Sequence, residues 1–291
     1  MSFARPDRSN WKLPDGARIA VSVNLALEAF RHKSQLTLEA RPGRTDHFSL
    51  SYAEYGARAG IWRILDLLDE LGLKASMSTN GKAAELYPEA VRAVAQAGHE
   101  VVGHGWENDV LNEDADPEKE LEEIRRVTEA IASAAGVRPV GWTSPGSAGS
   151  QNTLDLLAGE GYIWNGDQAN DDLPYSVPTK NGAMMILPRV NMPQNDLIMW
   201  AKANNPPGVI FESFKDTFDE LYSEGRKGSP KWVEIVLHAH MGGRPTLIPT
   251  VRRCIAYARQ HEGVWFPRKG DIARWAAGIE GVDLGTRALA G

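Results

Sequence analysis

The sequence predicts an α/β fold in which parallel strands, each followed by a helix, close into a (β/α) barrel of seven or eight strands. Three observations predict it. Short apolar runs alternate with amphipathic helical patterns along most of the 291 residues. Two of those runs, Glu100 to His104 and Trp232 to His240, end abruptly in titratable side chains, which is how a barrel presents chemistry at the carboxyl end of its sheet. No Gly-rich dinucleotide or phosphate fingerprint follows any strand, which counts against the alternative, an open doubly wound sheet.

The elements follow in order. Arg18–Asn24 reads as the first strand, and Ala57–Leu71 as a helix whose apolar stripe is Ile61, Leu65, Leu68 and Leu71, stopped by Gly72. Lys74–Thr79 is the second strand, Ala83–Ala97 a helix ending at Gly98, and Glu100–His104 the third strand. Asp116-Pro117 caps and opens a long helix to Ala135, stopped by Gly136. The acidic run that begins at Asn112 lacks the central Gly and ligand spacing of a calcium loop. Then come Val140–Ser144 (strand), Thr153–Ala158 (helix), Tyr162–Gly166 and Ala183–Pro188 (strands), and Gly208–Ser223 (helix). Trp232–His240 (strand), Thr246–Gln260 (helix), Val264–Phe266 (strand) and Ile272–Ala277 (helix) complete the chain. The segments 28–52 and 191–207 exceed ordinary connection lengths, as loops that cover sites or make subunit contacts do.

Bulk properties narrow the function. The chain is expected to form one domain over 1–291, since barrels of this length commonly do. A net charge of −6 without long blocks of either sign gives nucleic acid no electrostatic footprint. No apolar run approaches the ~20 residues that span a bilayer, and the first residues lack the apolar core of a secretory signal, so a cytoplasmic protein with no membrane partner is expected. The single Cys254, in a helical pattern, reads as a packed thiol.

Residues at strand ends of a barrel share one rim. His104, Glu107 and Asn108 follow the third strand, Ser144 the fourth, Asp167, Asp171 and Asp172 the fifth, and His238 and His240 the seventh, with Asn24 and Glu28 after the first. Imidazoles shuttle protons near neutral pH, and carboxylates orient them or act as base. Strand periodicity puts His240 on the face of His238. Each has a plainer reading: His238 as a satisfied core histidine, Asp172 as the start of a turn, Glu28 and Glu107 as solvated surface. Trp106, Trp142 and Tyr175 are candidates to stack on a planar ring, with a core role equally open to Trp142.

With these residues in view, the chain resembles the NodB-homology polysaccharide deacetylase superfamily, most closely its metal-independent allantoinase and cyclic-imidase branch. The resemblance rests on Glu54-Tyr-Gly-Ala-Arg58 with Gly60-Ile-Trp-Arg63, His104-Gly-Trp106, Thr143-Ser-Pro145, Asp171-Asp-Leu-Pro-Tyr175 and Leu237-His238 through Gly243-Arg-Pro245. It implies an irregular, polysaccharide-deacetylase-like (β/α) barrel. Metal-dependent members hold a divalent ion with an aspartate after the first strand and a His-x-x-x-His pair, and use a second aspartate as base. The resemblance places Asn24 at the base position, Ala26 at the metal aspartate, and His104 and Asn108 at the paired histidines. Neither Ala nor a neutral amide replaces a carboxylate or imidazole for zinc, so no metal cofactor is expected. The alternative is zinc at a rearranged site built from His104, His240 and an acid such as Glu28 or Asp167.

Without a Lewis acid, a plain acetamide is hard to cleave, whereas a cyclic amide, imide or ureide has an activated carbonyl. The expected activity is therefore hydrolytic opening of such a small-molecule ring. His238 is the principal acid/base in this reading, with His104 and Glu28 polarising or positioning water and substrate. Asn24, Trp106, Glu107, Asn108, Ser144, Asp172, His240 and Arg244 are the candidate substrate-binding residues, Arg244 also being open to an ion-pair role that braces the rim. The alternatives are a metal-dependent N-deacetylase of amino sugars and a barrel that binds a carbohydrate or small metabolite without turning it over. Relatives in this branch are homo-oligomers, which implies a homodimer or homotetramer.

Overall fold

In the first strand, β1 (Ile19–Leu27), alternate side chains have opposite characters, and this sets the architecture. Val21, Val23, Leu25 and Leu27 join one apolar core, while Ala20, Ser22, Asn24 and Ala26 face the other way and are small or polar. A strand buried along its whole length yet apolar on only one face belongs between a helical layer and a polar-lined interior.

The computed structural model describes residues 7–36, 44–109, 116–189 and 195–284. After β1 come α1 (His47–Tyr55), α2 (Ile61–Glu70), β2 (Ser76–Thr79), α3 (Gly81–Leu86), α4 (Pro88–Gln96), β3 (Glu100–Gly103), α5 (Pro117–Ala135) and β4 (Gly141–Trp142). Next are α6 (Thr153–Gly159), β5 (Trp164–Asn165), β6 (Tyr175–Thr179), β7 (Gly182–Ile186), α7 (Gly208–Arg226) and β8 (Lys231–His238). The described residues end with α8 (Ala239–Gly242), α9 (Ile248–Ala258), β9 (Val264–Trp265) and α10 (Lys269–Glu280). One sheet runs in the order β6-β7-β5-β4-β3-β2-β1-β8, with β9 alongside β1, and every pairing is parallel except the β6–β7 hairpin. The sheet curls into the expected irregular barrel; among the described residues its end strands do not pair with each other.

Helices cover the outer face, and α10 enters the concave side. Trp164, Trp232, Met185 and Leu187 of the sheet pack there against Ile272, Ala273 and Ala276. The amino end of α10 is fixed by a buried carboxylate: Glu100 accepts from Gly270 N (2.9 Å), Ser76 Oγ (2.5 Å) and Trp164 Nε1 (3.1 Å). An anion at a helix amino terminus satisfies free N–H groups and the positive end of the dipole together.

Several predicted boundaries change for identifiable reasons. The long segment after β1 contains α1, which starts at an Asp46 cap accepting from Ser49 N (3.1 Å) and runs through a π-helical turn at Gly56–Gly60 into α2. The helix read as Ala83–Ala97 is two helices, because Pro88 lacks an N–H and Tyr87 leaves helical geometry (φ −131°). Strand β6 was not anticipated: it contains Pro178, which is tolerated because β6 is an edge strand. β8 stops at His238, and Ala239–Gly242 turns as α8, so the strand periodicity that paired His240 with His238 does not extend to it.

The π-helical turn lets the backbone at Gly60 approach α8. A Cβ on Gly60 would lie 1.9 Å from the Ala239 carbonyl oxygen, so the two segments cannot pack this way with any larger residue. Gly60→Ala is expected to lose about 1–3 kcal/mol through overpacking and to melt several degrees below the parent by calorimetry. An unchanged melting temperature would show that the α2–α8 contact is looser than described.

Candidate active site

Glu28 is the first residue beyond β1, on the interior side, and is 5 % exposed. Its Oε1 lies 3.5 Å from His104 Nε2 and 3.8 Å from His238 Nε2, and its Oε2 accepts from Gln35 Nε2 at 2.7 Å. His104 follows β3 and His238 ends β8, so three strand ends meet on one carboxylate, all within a cavity of about 410 Å³.

Partners behind each imidazole fix its role. His104 Nδ1 lies 2.6 Å from the Thr143 carbonyl, which can only accept, so Nδ1 carries the hydrogen. In the neutral ring this leaves the Nε2 lone pair facing Glu28. Gly105 makes this approach possible: it has φ +59°, and a Cβ there would sit 2.8 Å from Pro145 Cγ. His238 Nδ1 is 2.6 Å from Asp196 Oδ1, and the same carboxylate's Oδ2 accepts His238 N at 2.8 Å. Asp196 is fully buried, so the dyad is shielded from water.

Electrostatics separates the groups. Burial alone would raise the Glu28 carboxyl, but His238, His104 and His240 around it override that and hold it at about 2. Burial alone would lower His238; Asp196 and Glu28 overcome it and bring the imidazole to about 9. At neutral pH the site therefore holds an ionised Glu28 and a protonated His238, a base and an acid side by side.

The remaining candidates divide. Asn24 and Asn108 line the cavity with Glu28, His104 and His238. Asn24 lies deeper, its amide donating to Glu234; the resemblance had put it at the base position, but Glu28 is the carboxylate beside the imidazoles. His240 is buried outside the cavity lining, against Phe30 and Tyr52, and desolvation lowers it to about 4. The turn into α8 rotated it there.

Trp106 and Glu107 face a separate, shallower surface pocket. Arg126 stacks on Trp106 at 3.3 Å, and Glu107 pairs with Arg31 and Lys82, each at 2.5 Å. Ser144 Oγ is spent on Asp167 (2.7 Å), and Asp172 is exposed near Lys231 at 3.7 Å. Arg244 lies between the rings of Tyr52 (3.7 Å) and Tyr55 (4.1 Å) and donates to His240 O, bracing the rim through ring contacts instead of ion pairs. Trp142 packs edge-on against Tyr162 in the core. Cys254 is buried and its thiol is pushed up to about 12, as expected of a packed cysteine.

Sequence reasoning missed Asp196, Glu234 and Lys269. Asp196 had a faint signal, a lone carboxylate in the long segment 191–207, of which 191–194 lie outside the described residues. Glu234 had a stronger one: a charge inside an apolar strand.

The donors here do not match the family's metal site. Ala26 has no side-chain donor atom and Asn108 offers only an amide, where the family has a carboxylate and an imidazole. Among the described residues no group of three or more His, Cys, Asp or Glu side chains is arranged to hold a metal ion. Among the described residues no helix is long and apolar enough to cross a membrane.

Comparison with known proteins agrees with this architecture. The polysaccharide deacetylase family profile matches residues 45–163. A Schizosaccharomyces pombe protein assigned to the polysaccharide deacetylases is 32 % identical over 77 % of this chain and 75 % of its own length. A Helicobacter pylori peptidoglycan deacetylase is 24 % identical over 77 % of this chain and 86 % of its own. The crystal structure of PuuE allantoinase superposes with a TM-score of 0.84 at 30 % identity, covering 96 % of each chain. An acid and a base at the ends of curled parallel strands, in a chain with these relatives, place it in the polysaccharide deacetylase family as a hydrolase of amide carbon–nitrogen bonds.

Proposed function

We propose that this hydrolase opens a cyclic amide, imide or ureide ring in a small molecule, using water activated by side chains and no metal. The observation that carries the reading is the Glu28 carboxylate held between two imidazoles inside a cavity of about 410 Å³. That volume is at the lower end of small-molecule sites, roughly 300–1,000 Å³, and Asn195, Leu197 and Ile198 wall one side of it. It suits a ring better than a polymer strand. The 30 % identity to an allantoinase over nearly the whole chain supports a cyclic substrate as well.

The chemistry follows from the protonation states. With the His104 ring neutral, Glu28 Oε1 and the Nε2 lone pair are two acceptors 3.5 Å apart, and a water donating to both is held with its oxygen lone pair free. Glu28 takes a proton as that water attacks the ring carbonyl. His238, kept protonated by Asp196, gives its Nε2 proton to the departing ring nitrogen, so the leaving group is neutral. This assigns the base to Glu28 and the acid to His238, instead of giving His238 both tasks. Imide and ureide carbonyls are activated enough to need no Lewis acid.

Turnover of succinimide, hydantoin and dihydropyrimidine panels, beside N-acetylglucosamine oligomers, tests the reading. Ring opening is expected, and exhaustive chelation is expected to leave kcat/KM unchanged. Activity confined to the acetylated sugars, lost to chelator and restored by zinc, would establish the metal-dependent deacetylase instead; binding of a ring without turnover would establish a binding protein.

A further inference from the structure

Charge around the cavity is matched except at two cations. Among its lining residues, Lys269 Nζ is 3.1 Å from Glu234 Oε2, and the protonated His238 lies between Asp196 and Glu28. Arg189 and Lys202 line it too, and among the described residues no carboxylate pairs with either. Elsewhere the balance is the reverse, since the whole chain carries a net charge of −6.

Arg189 is anchored where it stands. It follows β7, part-buried, and its backbone N–H donates to Gln168 O at 2.6 Å while its Nε donates to Gly166 O at 3.1 Å. Asp167, the carboxylate next to that anchor in sequence, is taken up by Ser144 and Asn165. With Nε spent on a carbonyl, the guanidinium keeps the N–H donors of Nη1 and Nη2, a planar fork that matches both oxygens of a carboxylate. Its charge acts on His238, opposing protonation of that imidazole, which puts the guanidinium in the neighbourhood of the catalytic acid. Lys202 is exposed at the end of the π-helical turn Leu197–Lys202 and adds a second positive charge from the wall that carries Leu197 and Ile198.

We propose that Arg189 selects the substrate by binding a carboxylate carried on the ring, with Lys202 supporting it, so that the substrate of this cavity is an anionic cyclic imide or ureide. A bare ring has nothing to offer either cation. Without Arg189 a ring carboxylate gains little from a chamber whose other charges are already matched, and it is repelled by Glu28. The proposal rests on the ring-opening reading for what happens at Glu28, and deepens it by naming the charge that the substrate brings.

The test uses succinimide and hydantoin rings carrying a carboxylate or the isosteric carboxamide on a short methylene arm, and measures turnover and calorimetric binding. At one arm length the carboxylate is expected to exceed its carboxamide about tenfold in kcat/KM, the margin of charge-assisted hydrogen bonds over neutral ones. In Arg189→Gln that ratio falls to about one. In Arg189→Lys, which keeps the charge and loses the fork, it falls part of the way. Both arms hang from the same ring, so a change at His238 or at the Gly166 anchor cancels from the ratio. A parental ratio of one or less at every arm length, with rings opened, would overturn the anionic substrate and leave ring opening standing. A preference undiminished in Arg189→Gln would overturn the assignment to Arg189. Tighter binding of carboxylate rings to the parent than to Arg189→Gln, with no ring opened, would uphold the carboxylate site and remove the ring-opening reading. Should Arg189→Gln fail to fold, an undiminished preference in Arg189→Lys would by itself overturn the proposal.

Discussion

Glu28→Gln is expected to lower kcat/KM on the best cyclic substrate by about 10³-fold or more, within the ~10²–10⁴ range of general acid–base catalysis, with little change in the affinity of unreactive ring analogues. The amide keeps the shape of the carboxylate and can still meet Gln35, but it cannot take a proton from water. It also removes the negative charge 3.8 Å from His238, one of the two that raise that imidazole. The substitution therefore strikes base and acid together, and its effect should not add to that of replacing His238. Steady-state kinetics with a competitive ring analogue checks this. A variant retaining a tenth of parental turnover would mean that another group activates water.

Asp196→Asn has the second-largest expected effect, and its signature is a pH profile. On the proposed mechanism, parental activity needs Glu28 ionised and His238 protonated, and it is expected to decline on the alkaline side as pH rises through about 9. His238 is raised above the ordinary histidine value mainly by Asp196 and then by Glu28, against burial. Neutralising Asp196 leaves burial less opposed, so the imidazole pKa falls and the alkaline limb moves toward lower pH. At pH 8 the variant should lose about 10²-fold or more in kcat, and part of that loss should return as the assay is made more acidic. A uniformly lower profile with an unmoved alkaline limb would show that Asp196 only orients the ring.

The residues that signalled the site in sequence were those at the ends of apolar strands. His104 and His238 each interrupt a run that would otherwise stay buried, and Glu28 closes the strand that pairs with His238's. Strand order explains why they converge: β3, β2, β1 and β8 are consecutive neighbours, so their carboxyl ends lie on one rim. What could not be read were contacts set by tertiary packing. Asp196 reaches His238 from a segment with no period of its own, which meets the sheet at the Asn195–Val236 bridge and at His238 itself. His240 was misplaced because a two-residue period holds only while the strand lasts, and the helical turn at α8, backed against Gly56 and Gly60, ends it one residue after His238. Glu107 and Trp106 were misplaced for a related reason: after Gly105 their side chains turn from the cavity toward Lys82, Arg31 and Arg126, and the chain comes back to the cavity lining only at Asn108.

The docking of α10 against Glu100 has a consequence for biogenesis. Lys269 and the amide of Gly270 belong to a helix synthesised long after the strands they close, with Glu100 170 positions upstream of its Gly270 partner. Until α10 is made, Glu100 has Ser76 and Trp164 but lacks its Gly270 donor, and Glu234 lacks Lys269. Closure of so distant a contact is entropically slow. Trp164 and Trp232 pack against α10, so a chain that had not yet docked it would leave them uncovered, and chaperone capture or self-association would compete with maturation at that step.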